Sequence, residues 1–157
     1  MRQAWDAPEV EPEIGDTLDF MRELWALHHA LEAASKRMEA RHGITAQQRM
    51  IIRIVGAAPN VTAGRMAEML RIHPGTLSTA LKRLERRRLV TRDADPRDRR
   101  RVLLGLTAAG RKYTRPMRET VEGSVGRALK HMPAARIAMA KGVLSLVSGH
   151  LLGKPTR

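Results

Sequence analysis

Apolar residues recur at steps of four and three from Phe20 through Leu24, Leu27, Leu31 and Ala34 to Met38, which places all six on one stripe of a long helix. Gly43 lies where such a helix ends, since glycine takes the left-handed backbone of a helix cap at little steric cost. Thr45 followed three residues later by Gln48 has the form of a capping box, and Met50, Ile51, Ile54 and Val55 then give a short apolar helix that stops before Pro59. Val61 precedes Thr62 as a staple precedes an N-cap, with Met66 placed to receive it, so a third helix is expected over 62–70. Pro74 suits the first turn of a fourth helix, where its missing N–H would have had no intrahelical partner, and Leu77, Leu81 and Leu84 form the buried face.

After Leu89 the period changes. Leu89 to Arg92 and Val102 to Leu106 read as two short strands joined by a loop that holds Asp95, Pro96, Asp98 and four arginines, a β-hairpin with a charged tip. Thr107 caps a fifth helix, and Pro133 opens a sixth whose apolar positions Ile137, Ala140, Leu144, Val147 and Leu151 again repeat in threes and fours until Gly153. The fold class is therefore mostly α with a small β-hairpin wing. Two short helices separated by Arg71-Ile72-His73 and followed at once by a basic hairpin have the spacing of a winged helix-turn-helix, here over 44–106. The helical segments 17–42 and 107–153 flank it within a single domain over 17–157. Residues 1–16, with five acids and two prolines, read as a flexible acidic arm.

Charge sharpens that picture. Lys and Arg number 29 against 16 Asp and Glu, a formal charge of +13, which implies a polyanionic partner. Between Arg71 and Arg101 there are eleven Lys or Arg and four acids, a net of +7 in 31 residues, and a solvated surface would not concentrate charge on one supersecondary unit in this way. Cysteine is absent, so no residue of the chain forms a disulfide or a thiolate metal site, and a cytoplasmic location is expected. No apolar run approaches the roughly 20 residues of a membrane helix. No phosphate-cradling glycine loop, metal-ligand spacing or nucleophile elbow appears, so neither an enzyme, a cofactor nor a metal is expected.

On the fourth helix, Thr76, Ser78, Thr79, Lys82, Arg83 and Arg86 fall outside the leucine stripe. Pro74, Gly75, Thr76, Ser78 and Thr79 at its start are placed to enter a major groove, whereas Lys82, Arg83 and Arg86 lie further back, where the phosphate backbone passes. For Thr76 and Ser78 the competing use is a hydrogen bond to their own helix. In the hairpin tip, Arg97, Arg99 and Arg100 suit the negative potential of a narrow minor groove. Asp98, an acid among arginines, is expected either to hold a neighbouring guanidinium in a bidentate orientation or to serve as a turn residue.

The run from Gly43 to Gly110 resembles the MarR family of bacterial winged helix-turn-helix transcriptional regulators. Its most specific pieces are Leu84-Glu85 through Leu89-Val90-Thr91-Arg92, Asp95-Pro96-Arg97-Asp98-Arg99-Arg100, and Leu106-Thr107-Ala108-Ala109-Gly110. By that resemblance Asp98 and Arg100 match the wing Asp and minor-groove Arg of the family, and Thr76, Ser78 and Thr79 match its base-contacting positions. His73 and Thr79 depart from it, standing where members often carry Asp or Ser and Arg or Gln. Thr79 cannot make the bidentate guanine contact of an arginine, worth about 1–3 kcal/mol of discrimination. The resemblance also implies a homodimer interlocked through the terminal helices, and a pseudopalindromic double-stranded DNA operator. It further implies a repressor released when a small aromatic or phenolic effector enters a cleft between the dimer helices and the DNA-binding unit. Trp25, His28, His29, Met50 and Arg53 are the residues placed to line that cleft, although Trp and Met at helical spacing also suit a core. An architectural protein that coats DNA with low sequence specificity is the alternative function.

Overall fold

The computed structural model describes residues 15–153. Positions 1–14 of the expected acidic arm therefore lie outside the described residues. Its last two, Gly15 and Asp16, begin α1 (Gly15–His42), with Asp16 in the first turn, where a carboxylate complements the helix dipole. Then follow α2 (Ala46–Ala57), α3 (Ala63–Leu70), α4 (Pro74–Arg86), the antiparallel strands β1 (Val90–Asp95) and β2 (Asp98–Leu106), α5 (Ala108–Lys112), α6 (Val121–Leu129) and α7 (Ala134–Leu151).

Local signals place the boundaries. Gly43 takes φ +69° after α1. Both hydrogen bonds of the Thr45–Gln48 capping box are present, and Thr62 accepts from the Arg65 N–H at 3.1 Å to start α3. Pro74 occupies the first turn of α4 behind an N-cap supplied by His73, whose Nδ1 accepts from the Gly75 N–H at 3.1 Å. Arg71 ends α3 in the left-handed conformation, φ +53°, which makes the sharp turn between α3 and α4.

Two expectations change. Where the sequence predicts one helix after Thr107, the chain makes α5, a turn through 113–120, and then α6. Pro116 cannot continue a helical hydrogen-bond ladder, Glu119 turns back with φ +55°, and Thr120 starts α6 by accepting from the Gly123 N–H at 3.2 Å. The predicted long hairpin loop also contracts to the two residues Pro96 and Arg97. The strand register passes from Ala94↔Val102 to Asp95↔Asp98, so Arg99, Arg100 and Arg101 bulge from β2 without partners on β1. Charged side chains do not oppose this extension, because both faces of a projecting ribbon are solvated.

The core belongs to the winged unit: Met38, Ile44, Ile51, Ile52, Val55, Val61, Met66, Leu77, Leu81, Leu84, Leu89, Val90 and Leu104 are buried together. The Leu104 N–H reaches the Val61 carbonyl at 3.0 Å, which ties the hairpin to the start of α3. At Gly110 a Cβ would stand 1.9 Å from the Leu89 carbonyl oxygen, so only glycine allows α5 to close on the hairpin base. By contrast α6 and α7 bury no residue, and α1 buries Met38 alone. Leu27, Leu31, Leu144 and Leu151 are 48%, 40%, 43% and 79% exposed, so the stripes read from the sequence remain uncovered in one chain.

Candidate nucleic-acid interface

Burial of Leu77, Ala80, Leu81 and Leu84 against the core fixes which face α4 turns outward. Thr76, Thr79, Lys82, Arg83 and Arg86 are exposed there and Ser78 is half-buried, while Pro74 and Gly75 are exposed at the leading end. The Thr79 hydroxyl donates to the Gly75 carbonyl at 3.1 Å, the local bond considered above for Thr76 and Ser78. Thr76, Thr79 and Arg83 line a cleft of about 460 Å³ with Ser35, Thr45 and Gln47, which brings the first turn of α2 beside the reading face. Gln47 is thus a polar neighbour of that face which the linear pattern does not single out.

The wing follows α4, and its strand β1 packs beside that helix. Asp95 and Asp98 each fold back on the chain, accepting from the backbone N–H groups of Arg97 at 2.9 Å and Arg100 at 3.0 Å. The guanidinium that Asp98 meets is that of Arg101, with Nε 3.4 Å from its second oxygen. That contact is single rather than bidentate, and Arg100 receives only a backbone bond. Asp98 therefore takes the turn role, and the expected bidentate hold on a guanidinium is replaced by a single contact with Arg101. The Arg97 and Arg100 side chains are exposed; the Arg99 side chain lies outside the described residues.

Two further arginines of the basic run hold the frame. The Arg87 guanidinium donates to the Gly43 carbonyl and binds the end of α4 to the turn between α1 and α2. Arg92 lies 3.9 Å from Glu85, between wing and reading helix. No spacing rule marks them, because their partners are set by tertiary packing.

The five residues expected to line an effector cleft line none of the three cavities of about 1070, 510 and 460 Å³. Trp25, His28 and His29 are exposed on α1, with the two imidazole rings 5.7 Å apart. Met50 is 55% exposed on α2, and Arg53 reaches Glu122 at 3.6 Å. A cavity of about 1070 Å³ is lined instead by residues that include His42, Val55, Leu106, Arg111, Tyr113 and Met117, and by none of those five. Among the described residues no group of three or more His, Cys, Asp or Glu is placed to hold a metal, and no helix is long and apolar enough to cross a membrane.

The MarR family model matches residues 42–101, the stretch that carries α2 to α4 and most of the hairpin. The organic hydroperoxide resistance transcriptional regulator of Bacillus subtilis (strain 168) is 31% identical over 87 residues, 55% of this chain. The chain spans 59% of the length of that curated relative. The DNA complex of MepR from S. aureus matches with a TM-score of 0.69 at 22% identity, covering 87% of this chain and 99% of that one. Streptococcus pneumoniae FabT in complex with DNA matches with a TM-score of 0.62 at 25% identity, covering 88% and 99%. The architecture is the winged-helix fold, with α4 and the hairpin in the order that the sequence predicts.

Proposed function

We propose that this chain, which belongs to the MarR family, is a sequence-specific double-stranded DNA-binding transcriptional regulator that acts as a homodimer and represses until a small effector releases it. One observation carries the reading: the core fixes α4 from behind so that its polar start and cationic second half turn outward, and an arginine-bearing hairpin tip follows it in the same winged unit. Thr76, Ser78 and Thr79, with Pro74 and Gly75 allowing close approach, contact bases; Lys82, Arg83 and Arg86 contact phosphates; Arg97, Asp98, Arg99 and Arg100 form the minor-groove wing. The two relatives bound to DNA in their structures support this assignment by fold.

The same proposal divides the chain into an arm over 1–16, a winged unit over 44–106, and dimer helices over 17–42 and 107–153. The uncovered stripes of α1 and α7 favour a second copy as the cover, which presents two reading helices to a pseudopalindromic site in the cytoplasm. Trp25, His28, His29, Met50 and Arg53, exposed in one chain, come to line an aromatic-acid cleft only where the partner's helix closes over them. The relatives are regulators, and the polar and basic residues of this surface bind rather than react.

A competition titration tests the reading against that of an unspecific coating protein. A regulator prefers DNA from its own promoter over random duplex by about 10³-fold or more. Equal affinity for both would establish the coating protein instead.

A further inference from the structure

The turn through 113–120 is the covalent link between the winged unit and the helices α6 and α7, and it is gripped by one buried arginine. Arg49, on α2, is 1% exposed. Its Nη1 donates to the Tyr113 carbonyl at 2.5 Å and meets the Met117 sulfur at 2.7 Å, its Nη2 donates to the Arg115 carbonyl at 3.0 Å, and its Nε donates to the Glu122 carboxylate in the first turn of α6. Arg53, one helical turn along α2, stands 3.6 Å from the same carboxylate. The end of α1 holds the turn from the other side: Arg41 pairs with Glu119, and His42 Nε2 lies 3.0 Å from the Arg118 carbonyl.

A guanidinium is a rigid planar fork, so one that serves two carbonyls and a carboxylate at once fixes their relative positions. A buried ion pair is a poor device for stability alone, because well-packed apolar side chains of similar volume do as well or better. Where such a pair joins two moving parts, geometric specification is what it supplies. Beyond this turn, α6 adds the half-buried Val121 to the edge of the core, and α7 buries no residue but meets the end of α3, where the Arg71 guanidinium donates to the Ser145 hydroxyl at 2.5 Å; the turn is where the direction of both helices is first set.

We propose that Arg49 is a positioning residue: it locks the 113–120 turn onto α2, and so sets the direction in which α6 and α7 leave the winged unit and the half-site spacing that the dimer reads. This rests on the dimeric regulator reading above. Glu122 is the partner that anchors the α6 end of the lock, and Arg49 touches no DNA.

The test uses the full chain and three duplexes built from its protected site: one with the native spacing, one with a single base pair inserted between half-sites, and one with a single half-site. Arg49→Lys keeps the charge but cannot span the three acceptors; Glu122→Gln keeps the shape but removes the ion pair. Wild type is expected to prefer native spacing by about tenfold or more, the cost of imperfect base contacts in one half-site. Both variants are expected to lose most of that preference while remaining dimers by sedimentation and keeping single half-site affinity within about twofold. If Arg49→Lys fails to fold, Glu122→Gln decides alone, since its side chain is 39% exposed and is tolerated more easily. Retention of the preference by the folded variants overturns the proposal, as does an equal fall on all three duplexes, which marks a merely structural role. A wild type with no spacing preference contradicts the dimeric regulator reading itself, and the inference falls with it.

Discussion

Replacing Asp98 by Ala sets two physical effects against each other. The substitution removes an acid from a cationic surface, and counterion release counts charge alone: one further effective cation adds about 0.9 to the slope of log affinity against log salt, or roughly fourfold between 50 and 200 mM salt. The geometry acts the other way. Asp98 accepts the Arg100 N–H at 3.0 Å and faces Arg101 Nε at 3.4 Å, and it does so where Arg99, Arg100 and Arg101 have no partners across the hairpin. The hydrogen bond is worth about 0.5–1.5 kcal/mol. The ion pair adds about 0–1 kcal/mol, because both side chains are well exposed. The two sum to about 0.5–2.5 kcal/mol, and losing the middle of that range, about 1–2 kcal/mol, weakens a bound state that requires an ordered tip by about 5- to 30-fold. Order therefore outweighs charge, and Asp98→Ala is expected to bind its operator several-fold more weakly despite its higher positive charge. Fluorescence anisotropy at one fixed salt concentration, with Asp98→Asn as the variant that keeps one acceptor oxygen, measures this. An Asp98→Ala protein that binds as tightly as wild type, or more tightly, refutes the wing argument.

Other expectations follow from the same geometry. Deleting residues 134–157 leaves the core of the winged unit intact, and the product is expected to sediment as a monomer and to lose most operator affinity; a dimeric truncation with full affinity would exclude the proposed interface. Gly110→Ala places a Cβ 1.9 Å from the Leu89 carbonyl and is expected to lower stability by about 1–3 kcal/mol or more in thermal unfolding, whereas Gly142→Ala, with nothing within 4 Å, should lower it by no comparable amount. Glu122 has its carboxyl held below the ordinary value of 4.5: burial raises it, but the hydrogen bond and charge of Arg49 and the bonds from its own backbone N–H and Thr120 outweigh that. A lowered carboxylate contributes stability that is present above 4.5 and lost as pH falls through the folded value. Glu122→Gln should therefore flatten the fall in melting temperature below that pH, and an unchanged acid limb would contradict the assignment.

The sequence discloses the winged unit well because its boundaries are written locally. A capping box at Thr45 and Gln48, an N-cap at Thr62, a proline at position 74 and a glycine at 43 each act within one helical turn, and all appear where expected. What it conceals is set over long distances. Arg49 stands beside an apolar run where no local rule singles it out, because its partners lie 64 to 73 residues away. Arg87 counts in the sequence only as one charge of the basic run, but it braces Gly43, so its replacement by Ala would disturb the frame as well as the charge. The break between α5 and α6 had local signals in Pro116 and Thr120, which the helical periodicity on either side obscured. The stripes of α1 and α7 are plain in the sequence, but one chain does not contain what covers them.

Footprinting of the DNA upstream of the protein's own coding region tests the central claim most directly. The account predicts a short protected region with two related half-sites about 10–10.5 base pairs apart, centre to centre, or a multiple of that, as two reading helices on one face of the duplex require. Protection spread evenly along the fragment, or confined to a single unrepeated site, would contradict it.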